Sequence, residues 1–259
     1  MIVIRPKKKL GQHFLKDQNI ARKIVDSLGT PVPDVVEVGP GMGVLTRFLL
    51  ENTHLNLHAV EIDREFVEYL QSHFPELSDK LYHADFLNWD AGQMPEQFSM
   101  IGNFPYNISS QIFFKILEMR NRIPEIVCMV QKEVAERINA SPGNKIYGIL
   151  SVLAGAFYNI EYLFTVKPES FYPKPNVQSA VIRMKRNNTI SLSCNEKLFF
   201  TVVKKSFGQR RKMLRNSLHD PGIELPQKFA QRRPEQLTVR EFEELTAFIE
   251  HQKPNDHAI

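Results

Sequence analysis

Four consecutive residues, Asn103-Phe104-Pro105-Tyr106, could hold the exocyclic amino group of a nucleobase for methylation. They follow the apolar residues 98–101, which are predicted to form a buried strand. The amino nitrogen of a base is a poor nucleophile because its lone pair is delocalised into the ring. The Asn103 side-chain oxygen and the Phe104 carbonyl could accept hydrogen bonds from its two N–H groups and so draw the lone pair out of conjugation. Pro105 has no N–H and would fix the turn, and Tyr106 would stack on the base.

The same tetrapeptide also has a plainer interpretation, as a loop that only reverses the chain. Short motifs match by chance often, so on its own the tetrapeptide leaves the two interpretations about even. The residues upstream of it decide between them.

A glycine-rich turn, with Gly39, Gly41 and Gly43, follows the apolar residues 35–38. Glycines at these positions let the backbone turn tightly and approach a ligand closely. Glu61 ends the next apolar run, where an acid can accept hydrogen bonds from both hydroxyls of a ribose. These features fit a dinucleotide or S-adenosylmethionine, and the alternative is a strand-to-helix turn without a ligand.

Further acidic residues favour S-adenosylmethionine over a nicotinamide cofactor. Asp85 ends the third predicted strand, where it could accept a hydrogen bond from the adenine amino group of a bound nucleoside. Glu37, two residues before Gly39, could face the methionine amino group. Acids after the second and third strands, with Asn103 after the fourth, describe an S-adenosylmethionine site better than a nicotinamide site. Each carboxylate could instead cap a helix or end a solvated loop.

Short apolar runs alternate along the chain with amphipathic stretches, which indicates a parallel sheet with helices on both faces. A helix and two further strands follow the fifth such unit, an ending that is typical of class I methyltransferases. The predicted fold class is therefore α/β, with a Rossmann-like, mostly parallel seven-stranded sheet. The strands are predicted at residues 35–38, 55–60, 81–83, 98–101, 126–130, 161–166 and 180–184, and the helices at 43–51, 64–73, 108–119, 131–140 and 147–157.

Strand patterns stop near residue 188, where we place a domain boundary. Residues 1–188 would form the methyltransferase domain with a basic N-terminal arm, and residues 189–259 a small all-helical domain that binds RNA. Helices are predicted there at residues 197–218 and 239–251. About 70 residues are few for an independent core, so this part is expected to pack on the first domain.

Composition excludes several classes of protein. Hydrophobic residues make up 42% and charged residues 24% of the 259 residues, which argues against disorder. No segment approaches the roughly 18 apolar residues of a membrane span, and no signal-peptide pattern follows the basic N-terminus. Cys128 and Cys194 lack metal-ligand spacing. We expect both to be reduced in a cytoplasmic protein that binds no metal.

Several ordered motifs resemble the rRNA adenine N6-methyltransferases. Besides the features above, these are Gly-Gln-His-Phe-Leu at residues 11–15 and Phe-Tyr-Pro-Lys-Pro-Asn-Val at residues 171–177. Residues 207–216, Phe-Gly-Gln-Arg-Arg-Lys-Met-Leu-Arg-Asn, are similar to the C-terminal signature of the KsgA-type dimethyltransferases. The resemblance implies dimethylation of two adjacent adenosines near the 3′ end of small-subunit (16S) rRNA during ribosome biogenesis, with S-adenosylmethionine as the cofactor.

The resemblance also implies roles for individual residues. Tyr106 and Phe171 would sandwich the target adenine, next to the catalytic turn. His13 replaces the Asn of many relatives and Phe104 the frequent Leu, and neither change is expected to abolish function. The residues expected to bind the cofactor are His13, Leu15, Gly39, Gly41, Glu61, Ile62, Asp85, Phe86 and Asn103.

Two basic segments are expected to contact RNA phosphates. The first is an N-terminal arm, and the second is the predicted helix 197–218, for which a solvated charged face is the alternative. The expected partners are small-subunit rRNA and the immature small ribosomal subunit, with no membrane, and the protein is expected to be monomeric. The residues expected to bind RNA are Arg5, Lys7, Lys8, Lys9, Lys204, Lys205, Arg210, Arg211 and Lys212.

Three other functions compete with this interpretation. An erythromycin-resistance type methyltransferase would share the turn at residues 103–106 but act on large-subunit RNA. The basic residues 210–212, with Leu214 and Asn216 after them, favour the small-subunit enzyme. A non-catalytic assembly factor or transcription partner would not need the cofactor residues. A DNA adenine methyltransferase would need a DNA-recognition domain, for which the sequence has no candidate.

Overall fold

The computed structural model of the protein describes residues 11–29, 32–220 and 223–252. The chain divides into two compact units. The first contains the residues up to Ala135 together with Asn159–Arg186, and the second contains Glu136–Tyr158 together with the residues from Asn187 onward. The domain boundary near residue 188 stays a prediction, and the grouping of Glu136–Tyr158 with the C-terminal residues was not anticipated.

A seven-stranded sheet confirms the predicted fold class. Its strands are β2 (Asp34–Val38), β3 (Asn56–Glu61), β4 (Leu81–His83), β5 (Ser99–Asn103), β6 (Glu125–Gln131), β7 (Tyr158–Val166) and β9 (Ser179–Arg186). Their order in the sheet is β4-β3-β2-β5-β6-β9-β7, and the neighbouring strands among β2 to β6 pair in parallel, whereas β9 is antiparallel to β6.

The central strands are apolar almost throughout because both of their faces are covered. Ile126, Val127, Met129 and Val130 of β6 are all fully buried. A parallel strand between two helical layers has no solvated face, so polar residues do not alternate with apolar ones. Cys128 lies in the same run, and burial raises the pKa of its thiol, which confirms the predicted core position.

Helices connect these strands. They are α1 (Gln18–Asp26), α2 (Thr46–Leu50), α3 (Arg64–His73), α4 (Ser109–Glu118) and α5 (Lys132–Ile138). Two of them begin at an aspartate cap: Asp17 accepts from the backbone N–H groups of Asn19 and Ile20, and Asp63 from that of Glu65. In the described part of the chain, no helix is long and apolar enough to cross a bilayer.

The parallel strands direct their following loops to one edge of the sheet, as parallel strands must. The loops after β2, β3, β4 and β5 carry the candidate site residues. A separate two-stranded ladder pairs β1 (Phe14–Leu15) with β8 (Phe171–Tyr172) in antiparallel register, with Phe14 opposite Tyr172 and Leu15 opposite Phe171.

The α-helices that lie wholly within the second unit are α6 (Ile149–Phe157), α7 (Glu196–Gly208), α8 (Leu214–Ser217), α9 (Gln227–Ala230) and α10 (Val239–Gln252). Phe199 and Val203 of α7 and Phe242 and Leu245 of α10 are fully buried. Their spacing of three or four residues gives each helix one apolar face for the core of this unit.

The prediction of one helix over residues 197–218 is wrong. Helix α7 ends at Gly208, Gln209 leaves the helical conformation, and α8 begins only at Leu214. Glycine is a poor helix former and the polar residues after it add no apolar contact that would continue the helix. Arg210, Arg211 and Lys212 therefore lie in a turn between two helices.

Candidate active site

A cavity of about 230 Å³ in the first unit brings the predicted cofactor and catalytic residues together. The loops after β2, β3, β4 and β5 line it, with the N-terminal residues 11–15. Of the predicted residues, the cavity is lined by His13, Leu15, Gly39, Gly41, Glu61, Ile62, Asp85, Phe86, Asn103, Phe104, Pro105 and Tyr106.

The glycine turn after β2 has backbone conformations that favour glycine. Gly39 and Gly43 have φ values of 68° and 74°. A Cβ on Gly39 would meet no atom within 4 Å, so this part of the turn faces the open cavity. A Cβ on Gly43 would lie only 2.3 Å from the Phe74 ring. Gly39 thus leaves space for a ligand, whereas Gly43 permits close packing.

The Glu61 carboxylate joins the end of β3 to the glycine turn. Its oxygens accept from the backbone N–H groups of Gly41 at 3.0 Å and Asp63 at 2.9 Å. Burial raises the pKa of this carboxyl, and the two backbone donors oppose the rise. Each oxygen can accept a second hydrogen bond, so the group can still receive ribose hydroxyls.

Glu37 is a second buried carboxyl in the cavity wall, with 1% of its surface exposed. The Thr46 hydroxyl donates to it at 2.6 Å. Burial raises the pKa of Glu37 to about 8, and the nearby Glu61 carboxylate adds to the rise, while the Thr46 donors oppose it. Sequence reasoning missed Thr46, because nothing in its position indicates that its hydroxyl reaches β2.

Asp85 lines the cavity but also organises its own loop. Its carboxylate accepts from the Leu87 backbone N–H at 3.0 Å and from Asn88 Nδ2 at 2.8 Å. These contacts are the ones expected if Asp85 caps its own loop, which is the alternative to a role in cofactor binding. They leave acceptor capacity on both oxygens, so the role toward an adenine stays a prediction.

Asn103 is held in one orientation by the N-terminal segment. Its Nδ2 donates to the His13 carbonyl at 2.9 Å, which leaves its Oδ1 as the acceptor for a ligand. The His13 ring donates from Nδ1 to the Pro173 carbonyl at 2.8 Å and stacks on Tyr106 with ring centroids 5.1 Å apart. Sequence reasoning missed Pro173 as a partner, and no local signal could have indicated it.

The rest of the tetrapeptide is fixed by neighbours on both sides. The Phe104 backbone N–H donates to the Met129 carbonyl at 3.0 Å, and the Phe104 ring is buried edge-on against Phe113. The Tyr106 hydroxyl shares a hydrogen bond with Ser179, and burial raises the pKa of this phenol. The turn is therefore a rigid platform.

Phe171 does not line the cavity. It lies on β8, is 2% exposed, and belongs to the hydrophobic core together with Leu15 and Val166. The sandwich of an adenine between Tyr106 and Phe171 is not formed by these side-chain positions, and it stays a prediction.

The predicted RNA-binding residues divide into two groups. Arg5, Lys7, Lys8 and Lys9 lie outside the described residues. In the second unit, Lys204, Lys205, Arg211 and Lys212 are exposed. Arg210 is half-buried, and its guanidinium donates to the Asn144 carbonyl at 3.4 Å. That contact gives Arg210 a structural partner besides any phosphate.

Gly102, directly before Asn103, is a further residue that sequence reasoning missed. A Cβ there would lie 2.6 Å from the Val38 carbonyl oxygen of the neighbouring strand and 3.0 Å from the Phe104 ring. We expect Gly102→Ala to lower the free energy of unfolding by about 1–3 kcal/mol, the usual cost of overpacking a core, in denaturant titrations. Gly208→Ala is the matched control because a Cβ there would meet nothing within 4 Å. Equal effects of both substitutions would contradict the role given to Gly102.

Known structures with this fold include methyltransferases. The chain is similar to a dimethyladenosine transferase from Plasmodium falciparum, with a TM-score of 0.76 and 22% identity over 90% of this chain and 96% of that one. It is also similar to the 23S rRNA methyltransferase ErmE, with a TM-score of 0.69 and 26% identity over 90% of this chain and 99% of that one. The first likeness, at this low identity, concerns the fold alone.

Sequence relatives are much more similar. Proteins named Ribosomal RNA small subunit methyltransferase A are 54% identical in Parabacteroides distasonis, over 95% of this chain and 94% of that protein, and 50% identical in Porphyromonas gingivalis, over 96% of this chain and 100% of that protein. The sequence model of the family described as Ribosomal RNA adenine dimethylase matches residues 3–246. The chain therefore belongs to the ribosomal RNA adenine dimethylase family.

Proposed function

We propose that this protein transfers methyl groups from S-adenosylmethionine to N6 of two adjacent adenosines near the 3′ end of small-subunit rRNA. The proposal rests mainly on one observation: Asn103, oriented by the His13 carbonyl, lines the same cavity as the glycine turn and the buried carboxyls of Glu37 and Glu61. The relatives named as small-subunit methyltransferases support small-subunit rather than large-subunit rRNA as the substrate.

The cavity walls fit the chemical groups of S-adenosylmethionine. Open space over Gly39 admits a ligand close to the backbone, and Glu61 can accept ribose hydroxyls. Glu37 can face the methionine ammonium, which would favour the charged form of this carboxyl, and Ile62 and Phe86 provide apolar walls for the adenine. When bound, the cofactor supplies a methyl group that its sulfonium already activates.

The protein's own task is to position the nucleophile and exclude water. Asn103 Oδ1 and the Phe104 carbonyl accept hydrogen bonds from the two N–H groups of the adenine amino group. Because the His13 carbonyl already holds the Asn103 amide, the acceptor needs no reorganisation when the base arrives. No base is required before attack, since the amino nitrogen becomes acidic only once it is methylated.

The target adenine has to leave its stack to reach this turn. Tyr106 offers a ring for the base, and its hydroxyl contact with Ser179 fixes the ring plane. The His13 ring stacks on Tyr106, so a bound base either displaces this ring or stacks on the other face of Tyr106. Phe171 would contribute only if the ladder between β1 and β8 rearranged.

The protein's partner in this proposal is the immature small ribosomal subunit, in the cytoplasm, and the protein acts as a monomer. The basic turn of residues 210–212 supplies phosphate contacts, which give affinity and orientation but little sequence discrimination. Substrate choice then depends on the folded shape of the RNA within the subunit.

Neutralising the basic turn tests its role. We expect Arg211→Gln with Lys212→Gln to weaken binding to small subunits and to reduce the slope of log affinity against log salt by about 1.5, since each phosphate contact contributes about 0.7–0.9. Arg210 is left intact because it also holds the Asn144 carbonyl. Lys228→Gln is the control, since Lys228 is an exposed lysine of the same unit that is paired with Glu244. An unchanged salt slope in the double variant would make the turn a purely structural element.

A methyl-transfer assay with labelled S-adenosylmethionine tests the proposed function. Unmethylated small subunits and large-subunit RNA are offered in parallel. Label in the small subunit alone is the expected result. Label in the large-subunit RNA would identify a resistance-type enzyme, and no label in either, with cofactor bound, would identify an assembly factor.

A further inference from the structure

Tyr172 is an unusually exposed aromatic residue next to the site. It is 67% exposed, whereas Phe171 before it is 2% exposed. Single exposed apolar side chains are common on proteins, so exposure alone indicates no function. The position of Tyr172 in the ladder between β1 and β8 shows on which face of the ladder its side chain lies.

The register places the Tyr172 side chain on the same face of this ladder as Phe14. Tyr172 lies directly opposite Phe14, and directly opposed residues of an antiparallel pair have their side chains on the same face. Phe14 lines the cavity, and its ring lies against Gly41. Leu15 and Phe171 share the other face and are buried in the core, where Leu15 also lines part of the cavity. Tyr172 therefore lies next to Phe14 at the rim of the cavity, without lining the cavity itself.

The backbone around Tyr172 is held on both sides. The Lys16 N–H donates to the Ser170 carbonyl at 2.8 Å, and the carbonyl of Pro173 accepts from His13 at 2.8 Å. His13 in turn contacts both Asn103 and Tyr106. The Tyr172 ring is thus attached to the same frame that holds His13, Asn103 and Tyr106, while the ring itself is exposed.

We propose that Tyr172 stacks on the nucleotide next to the target adenosine. This inference rests on the proposed function. When one of two adjacent adenosines enters the cavity, its neighbour stays outside and loses a stacking partner. An exposed ring fixed at the rim replaces that partner and offsets part of the cost of extruding the target.

Substitution of Tyr172 tests this role kinetically. We expect Tyr172→Ala to lower kcat/KM for small subunits by about 10- to 100-fold, the size of one lost base–aromatic stack, mainly through KM. Tyr172→Phe should retain activity within about twofold because its ring still stacks, and Tyr172→Leu should not. Ile190→Ala is the control, since Ile190 is an exposed apolar residue of the second unit that belongs neither to the cavity wall nor to the motif at residues 171–177. Wild-type kinetics in Tyr172→Ala, or equal activity of the Phe and Leu variants, would overturn the proposal.

A binding readout separates this inference from the proposed function. In Tyr172→Trp, the new indole is exposed, whereas the native Trp89 is 7% exposed and gives a constant background. Titration with small subunits, with S-adenosylhomocysteine present, should quench the new emission as a base stacks on it. Subunit binding without quenching would overturn the stacking role even if methylation is normal. Quenching with no methyl transfer by the wild-type protein would contradict the proposed function alone.

Discussion

Asn103→Ala is expected to lower the rate of methyl transfer by about 100- to 1,000-fold, the usual cost of removing one preorganised hydrogen-bond partner of a transition state. The substitution removes the side-chain acceptor for the target amino group. The proposed cofactor residues Glu61 and Gly39 should keep their positions, since their hydrogen bonds go to Gly41, Asp63 and Val60 rather than to Asn103. Single-turnover assays with saturating small subunits measure the rate, and calorimetry measures the affinity for S-adenosylmethionine.

Glu61→Ala is the comparison for this prediction. It removes the acceptor for ribose and frees the Gly41 and Asp63 N–H groups, so it should weaken cofactor binding more than Asn103→Ala does. Equal loss of cofactor affinity in the two variants would sink the separate roles assigned to these residues.

Glu37→Gln is expected to stabilise the protein at pH 8 by about 3–5 kcal/mol relative to the wild type. Burial raises the pKa of Glu37 from its ordinary value of 4.5 to about 8, so the folded state holds this proton more tightly than the unfolded state does. The stability that this group contributes is full below pH 4.5 and is lost as the pH rises through about 8. Glutamine keeps an oxygen acceptor for the Thr46 hydroxyl but never acquires the charge.

Denaturant titrations from pH 4.5 to 8.5, without cofactor, measure this effect. The wild-type free energy of unfolding should fall more steeply with rising pH than that of Glu37→Gln, and the two should agree at the acidic end. Glu68→Gln is the control, because Glu68 is an exposed residue of α3 that pairs with Arg64 on the helix surface. Parallel pH curves for wild type and Glu37→Gln would mean that the buried carboxyl is not the source of the pH dependence.

The same proton affects cofactor affinity. A cationic ammonium beside Glu37 favours the charged carboxylate, so binding of S-adenosylmethionine near neutral pH should release a proton from this group. Glu37→Gln therefore exchanges cofactor affinity for stability, which is a common relation between buried charges and binding sites.

The fold could be predicted from the sequence because its signals are local. The buried runs of β2 and β6 are apolar at consecutive positions, which indicates strands covered on both faces. Strand ends in a parallel sheet meet at one edge, so the sequence alone indicates that Glu61, Asp85 and Asn103 lie close together. The predicted helix 197–218 is longer than α7 because its apolar spacing continues through Leu214 and Leu218. The end of α7 at Gly208 is indicated in the sequence by that glycine alone.

The contacts that orient the site could not be predicted, since they join distant parts of the chain. Asn103 and His13 are 90 positions apart, and His13 and Pro173 are 160 apart. The burial of Phe171 and the exposure of Tyr172 depend on the register between β1 and β8. Strands of only two residues carry no alternating pattern from which this register could be predicted. The motif at residues 171–177 could therefore not show which of the two aromatic side chains faces outward.

Nucleoside analysis of methylated small subunits tests directly whether the protein dimethylates two adjacent adenosines of small-subunit rRNA. Unmethylated subunits are incubated with the protein and S-adenosylmethionine, and the rRNA is digested and mapped by mass spectrometry. We expect N6,N6-dimethyladenosine at two adjacent positions near the 3′ end, and loss of this product in Asn103→Ala. Methyl groups at any other atom or position, or an undiminished yield in Asn103→Ala, would contradict it.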